Sequence, residues 1–355
     1  MTGRQLSIPD LRLLNQRITR PGSRSPEKLV AWMGAVQAQE YGPAKWGLAL
    51  RSPGSTTDAA IERAIQQGRI LRTHVLRPTW HFVTPADIRW MLELTAPQVH
   101  RRMAPYDRQL GLDADVKTRA TRVMEHALGE SRYLTRLELG AHLVRARLPG
   151  RSTHLAHLAM HAELEGVICS GPRRGKRSTY GLLSDRAPAA RRLPRDEALA
   201  QLTRRYFRSH GPATVRDFVW WSGLTTLDAR RGLEMNRAKS REVDGIRYWS
   251  LGRETPGVSS RKTAVHLLPI YDEYLVAYRD HQVVPRPAYV LGNFQHALVI
   301  GGQVAGTWRT IPGSKGLTIH VTTLRRLTAV ERSALAQAVA RYRKFSTVSI
   351  SLSMS

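Results

Sequence analysis

The chain has almost no cysteine. Its 355 residues include one, Cys169, which excludes an intramolecular disulfide and a cysteine-based zinc cluster within the chain. It has no apolar run of about 18 residues, the length that a membrane-spanning helix needs. Its first residues, MTGRQLSIPDLRLLNQRI, are amphipathic and contain no continuous apolar signal core. The expected location is therefore the cytoplasm, with no membrane partner. Acidic residues are scarce, at 28 Asp and Glu against 55 Lys and Arg, and the formal net charge is +27. Lysine is scarce as well, because eight of those cations are Lys and 47 are Arg. Coding bias exchanges Lys for Arg, but it does not create an excess of positive over negative charge. A surplus of this size calls for a polyanion, and guanidinium forks match phosphate and guanine. Nucleic acid is the expected partner.

Two familiar chemistries are missing too. There is no HExxH zinc motif. The stretch Gly171 to Ser178 reads GPRRGKRS, one residue short of a phosphate-binding loop and with Arg where that loop needs Ser or Thr. No cofactor is expected.

What the chain does have is one pattern used three times: helices, then a two-stranded hairpin, the grammar of a winged helix-turn-helix. In the first copy, about residues 8–84, Pro9 to Ile18 is expected to be helical. A second helix begins at Ser25-Pro26, runs to about Gln39 and is closed by Gly42-Pro43. A third lies near 57–67, and strands at Ile70–Val75 and Thr79–Val83 flank Leu76-Arg77-Pro78. In the second copy helices fit 116–128, 135–147 and 153–165, with Thr135 and Glu138 as a capping box. Its hairpin, Val167–Cys169 and Thr179–Leu182, has a basic tip carrying Arg173, Arg174, Lys176 and Arg177. Like charges crowd together at such a tip only at a cost unless an anion joins them, so these four are the candidate phosphate contacts. The third copy, about 195–252, holds RYFRSHGPATVRDFVWWSGLTTLDARRGLEM, the clearest helix-turn-helix in the chain. Thr214 caps one helix, Thr225 or Thr226 the next, and Asp244-Gly245 turns a hairpin. The spacer SDRAPAARRLPR at 184–195 reads as a linker. From 264 onward the pattern is β-rich, with one helix near 328–343 and a tail strand, forming a small barrel or sheet. The class is α+β, with units at 1–95, 96–190, 191–255 and 256–355.

Three groups of side chains deserve a chemical reading. His154, His157 and His161 share one helix face, but a metal would need a further ligand and supporting groups. Contact with DNA or with the adjoining unit is the simpler expectation, and no metal is assigned. Asp272, Glu273 and Asp280 form an acidic island in LLPIYDEYLVAYRDH. It suits either a metal or general base, or a structural pairing with the surplus arginine, and the structural role is favoured. Gln37 and Gln39 sit within MGAVQAQEYGPAKWG. On a continuous helix they point about 200° apart and converge only if the helix unwinds near Gln39, as Gly42-Pro43 permits, so spacing alone makes them structural.

A resemblance changes that reading. Gln37-Ala38-Gln39, the basic hairpins, RPTWHFVTPADIRWML at 77–92, LLPIYDEYLVAYRDH and VAGTWR at 304–309 together resemble the winged-helix DNA glycosylases of the AlkZ/YcaQ type. The likeness spans nearly the whole chain in order. It implies a C-shaped, concave assembly of three tandem winged helices with a β-rich C-terminal part. It implies excision of alkylated bases from duplex DNA by a signature of Gln-apolar-Gln, the AlkZ variant, which makes Gln37 and Gln39 the catalytic candidates. That branch acts on N7-alkylguanine and unhooks interstrand crosslinks, giving resistance to a DNA-alkylating toxin. Trp80 and His81, near the first wing, join the candidate DNA contacts. Lys45 is the one lysine near Gln37 able to act as a Schiff-base nucleophile, and base removal without strand cleavage is expected. The protein is expected to be a monomer. A winged-helix transcription regulator is the competing class; it would bind one sequence tightly, whereas a glycosylase binds DNA with steep salt dependence and little sequence preference.

Overall fold

The protein is described from a computed structural model covering residues 6–22, 25–54, 56–252, 263–285, 295–314 and 316–355. Helix α1 (Ile8–Asn15) begins with a capping box between Ser7 and Asp10. Helix α2 (Pro26–Met33) starts as the sequence suggests, with Ser25 as cap and Pro26 at the first position. It does not reach Gln39. It stops at Gly34, whose φ of +86° suits a residue without Cβ, and the chain passes into a short strand, β1 (Val36–Gln37). Gly42-Pro43 open a helix instead of closing one. They fall in the first turn of α3 (Tyr41–Leu50), where the proline's missing N–H has no helical partner to lose. Helix α4 (Asp58–Gln66) and strands β2 (Leu71–Val75) and β3 (Arg77–Val83) follow. The turn between the strands is Leu76 alone, at φ +66°. The three strands form an antiparallel sheet in the order β1-β3-β2.

Helix α5 (Pro85–Gln109) leads onward and carries residue 95, the expected end of the first unit, through its middle. Next come α6 (Ala114–Glu130), β4 (Leu134–Thr135), α7 (Arg136–Arg145), α8 (Ser152–Leu164), β5 (Ile168–Ser170) and β6 (Thr179–Leu182), with sheet order β4-β6-β5. The Thr135–Glu138 capping box is present. After α9 (Leu183–Arg186), helices α10 (Arg195–Ser209), α11 (Val215–Ser222) and α12 (Thr226–Met235) precede the hairpin β7 (Lys239–Val243) and β8 (Ile246–Ser250). Thr214 and Thr225 each cap a helix through a capping box. Asp244 and Gly245 both have positive φ, as a type I′ turn requires.

The C-terminal part contains β9 (Val265–Leu268), α13 (Glu273–Val276), β10 (His296–Ile300), β11 (Gln303–Gly313), β12 (Gly316–Thr323), α14 (Ala329–Ser346) and β13 (Ile350–Met354). It is an open sheet, β13-β12-β11-β10-β9, with β13 parallel to β12. The expected boundary at 255/256 lies outside the described residues.

The apolar cores do not follow the order of the chain. The first segment shares one core with the C-terminal sheet: Trp46, Leu48 and Ile61 pack with Leu267, Leu298 and Trp308. Trp46 and Trp308 donate their indole N–H groups to the carbonyls of Leu267 and Leu268 at 2.7 and 2.8 Å. A second core joins β2, β3 and α5 to α10–α12 and Tyr278. The third belongs to residues 110–182 alone. The segment Asp272 to Tyr278 therefore lies at the seam between the first two cores. It is pinned there by a buried bidentate pair between Arg51 and Asp272, at 2.7 and 2.8 Å.

Candidate active site

The end of α2 decides where the two glutamines point. In an extended chain residues two apart lie on one side, and the residue between them on the other. Val36 and Ala38 are buried in the first core, so Gln37 points to the opposite side, and Gln39 comes next after Ala38, where the chain bends. The apolar residue between the glutamines is thus the core-facing residue of an extended segment. The helical reading of Gln-Ala-Gln, which separates the pair, used the wrong period.

Pairing continues past β1. Gln37 lies opposite His81 in register, and Ala38 donates its N–H to the carbonyl of Trp80 at 2.7 Å. The Gln39 side-chain oxygen accepts the Trp80 N–H at 3.3 Å. Arg72 on β2 fixes the turn after β1 by donating to the carbonyls of Ala38, at 2.9 Å, and Gln39, at 3.2 Å. Its guanidinium also lies 4.2 Å from the Trp80 ring centre.

Gln37 is held from two sides. Arg77 of β3 donates to its side-chain oxygen at 2.7 Å. Glu273 of α13, 236 positions along the chain, accepts its backbone N–H at 2.6 Å. Glu273 is 1% exposed. Its other oxygen accepts the Trp221 indole N–H at 3.0 Å and lies 3.3 Å from His210 Nε2. Burial works against the carboxylate. The hydrogen bond and charge of His210, helped by His81 and the Gln37 N–H, outweigh it and hold Glu273 down to about 2. The opposite balance holds for the two histidines. Burial, reinforced by the Arg77 charge, drives His81 down to about 3, and burial also lowers His210. The pocket behind Gln37 thus sets one carboxylate, Glu273, near one guanidinium, Arg77, and beside two imidazoles whose protonation burial opposes.

Arg77 was not singled out from the sequence, and Glu273 only as part of the acidic island. The acidic island was recognised, and its structural role holds for Asp272. Glu273 instead turns toward Gln37. Asp280 is elsewhere, accepting the Gln282 N–H at 2.9 Å.

Of the two residues near the first wing, Trp80 is half-buried, between Arg72 and the His74 ring at 4.5 Å. His81 is 0% exposed, so it cannot be a DNA contact in this structure. It stands opposite Gln37 and faces the interior, and its Nε2 has no hydrogen-bond partner among the described residues. The basic tip also divides. Arg173 reaches across to the first segment, 4.7 Å from the Tyr41 ring centre. Arg174 is engaged by Glu138 at 2.7 Å and by the carbonyl of Tyr133 at 2.9 Å. Lys176 and Arg177 are exposed. Lys45 is 5% exposed and clamped between Asp58 and Glu62, at 2.9 and 2.7 Å.

The three helix histidines do not act as one set. His157 lies 2.9 Å from Asp107, while His161 turns toward His100, with ring centres 5.1 Å apart. Among the described residues no helix is long and apolar enough to cross a membrane.

A curated glycosylase of Streptomyces sahachiroi, described as an interstrand DNA cross-link repair glycosylase, is 25% identical over 339 residues, covering 87% of this chain and 89% of that protein. The solved structure of the Streptomyces sahachiroi DNA glycosylase AlkZ superposes with a TM-score of 0.81 at 22% identity and covers 97% of both chains. The family described as DNA glycosylase AlkZ-like matches residues 30–345, which sets aside the regulator reading. The chain belongs to the AlkZ-like family and is a DNA glycosylase.

Proposed function

We propose that the protein is a monofunctional glycosylase that hydrolyses the N-glycosidic bond of N7-alkylated purines in duplex DNA. Its substrates include bulky adducts and interstrand crosslinks, whose unhooking gives resistance to a DNA-alkylating toxin. One observation carries this reading: on the side of β1 opposite the first core, Gln37 lies beside His81 and is locked by Arg77 and Glu273, and Gln39, two residues on, holds the Trp80 N–H.

The chemistry suits two neutral amides. A purine alkylated at N7 is already cationic and leaves as a neutral base, so no strong general acid is required. Glutamine cannot take up a proton, but it can orient a water and direct dipoles at an oxocarbenium-like centre. Each side-chain oxygen spends one lone pair, on Arg77 or on the Trp80 N–H. The second lone pair and the amide hydrogens remain to hold water. The Glu273 carboxylate, one hydrogen bond behind Gln37, favours positive charge developing in front of it, and Arg77 limits that field. An undamaged base lacks the good leaving group and meets no acid to supply one. Lys45, neutralised by two carboxylates, is a poor amine nucleophile, which supports release without strand cleavage.

The architecture that accompanies this reading is three winged helices, at 1–95, 96–190 and 191–255, lining a concave, C-shaped surface, with 256–355 as the β-rich part. Two observations support it: each segment contains an antiparallel hairpin, and the Arg173 tip reaches the first segment beside Tyr41. Lys176 and Arg177, with Arg173, Arg174 and Trp80, are the proposed DNA contacts, and the protein acts as a cytoplasmic, nucleoid-associated monomer.

The test uses duplexes carrying 7-methylguanine or an interstrand crosslink through purine N7. Base release is read by alkali-induced cleavage, and unhooking by loss of the slow band on a denaturing gel. Both should occur, with no strand break before alkali and no protein–DNA adduct trapped by borohydride. Sequence-independent binding with neither reaction would end the N7-alkylpurine assignment.

A further inference from the structure

We propose that His100, His161 and Glu165 form a binding site for a divalent cation of the zinc class, tying α5 to the C-terminal end of α8. The three groups converge from two helices, and their nearest ligand atoms all lie within 4.8 Å of one another. His161 and Glu165 are four residues apart at the end of α8, and so project from one face. His100 comes from α5.

The groups are close enough for an ion pair but are not aligned to hydrogen-bond one another. His100 Nε2 lies 2.9 Å from Glu165 Oε1, yet this nitrogen and His161 Nδ1 are both buried without a hydrogen-bond partner among the described residues. His161 Nδ1 is 4.0 Å from the same oxygen. Nitrogen and oxygen ligands at about 2.0–2.2 Å around a tetrahedral zinc stand about 3.4 Å apart, a value the two observed separations bracket.

Two imidazoles and one carboxylate suit zinc and its borderline neighbours over magnesium or calcium, which take oxygen ligands. A cleft of about 320 Å³ opens beside the cluster, lined in part by His100, Glu165, Glu93, Arg89 and Arg192. It leaves room for water at an open position. Of the nearby cations, Arg192 is paired with Glu93 at 3.2 Å and Lys117 with Asp107 at 3.1 Å; Arg89 weakens the site. Between His161 and Glu165, Glu163 pairs with His74 of β2. A cation here would therefore fix α8, and the hairpin behind it, against both α5 and the first sheet.

The full chain, stripped with EDTA and dialysed, is titrated with Zn²⁺ and with Co²⁺. One equivalent should bind, Co²⁺ should acquire visible d–d absorption, and Zn²⁺ should raise Tm. His100→Ala and Glu165→Gln should each weaken binding at least tenfold and abolish the Tm shift. His126→Ala, which breaks an exposed His126–Glu130 pair, should change nothing. Binding that survives in the His100→Ala/Glu165→Gln double variant, or that disappears with His126→Ala, overturns the assignment. So does the absence of binding by a wild-type protein that retains base release.

Discussion

Replacing Glu273 by Gln keeps the volume and removes the charge. The carboxylate receives the Gln37 and Trp221 N–H groups and stands against His210. A glutamine offers one carbonyl oxygen and one NH2, so at least one buried donor then faces another donor. An unsatisfied buried donor costs about 1–3 kcal/mol. The substitution also strips Arg77 of its main compensating charge, and an uncompensated buried cation adds a penalty of similar size. The expected loss of stability is about 2–5 kcal/mol, read from urea midpoints. The catalytic loss should be larger than stability alone gives, because displacing a positioned group by about 1 Å costs on the order of a hundredfold. Single-turnover base release at a temperature where the variant is folded should fall by about that factor. DNA affinity should hold, since Glu273 is buried. Wild-type release by Glu273→Gln would refute the claim that this carboxylate sets the position of Gln37.

Three further outcomes follow from the same structure. Lys176→Ala and Arg177→Ala should each lower the slope of log affinity against log salt by about 0.9 without changing the rate of the bound complex; an unchanged slope removes the tip from the DNA surface. Acid should destabilise the protein between pH 6.5 and 4. His81, His161, His266 and His296 are held at about 3, 4, 4 and 4, chiefly by burial. The unfolded chain therefore takes up protons first as pH falls through 6.5, and stability that is complete above 6.5 is lost. For His81 alone this is about 2 kcal/mol by pH 5, so an unchanged urea midpoint at pH 5 would contradict the burial. Cys169, buried and with its thiol pushed up to about 12, should resist alkylation in the native protein and react on unfolding; rapid native labelling would contradict its placement.

Much of this was legible in the sequence because it is local. The caps at Ser25, Thr135, Thr214 and Thr225 lie within a few residues of the helices they start, and the Asp244-Gly245 turn specifies itself. The C-terminal strands were marked by composition. The glutamine pair was misplaced because the apolar stripe of Leu29, Val30 and Met33 leads straight into Val36 and Ala38. Period alone does not say where a helix stops. Gly34 was the available signal, and Pro43 is as compatible with a helix start as with an end. Glu273 and Arg77 were beyond reach for a different reason. Their roles arise from contacts 236 and 40 residues away, and no local pattern encodes a partner at that separation. The same holds for His81, whose exposure depends on what covers its strand.

The central claim is that Gln37 and Gln39 act on the reacting sugar, and one experiment addresses it most directly. Single-turnover release of 7-methylguanine is measured for the wild type, Gln37→Ala and Gln39→Ala, with DNA affinity determined for all three. The account predicts release by the wild type and a loss of at least a hundredfold in each variant at unchanged affinity. Release by either variant at the wild-type rate would contradict it.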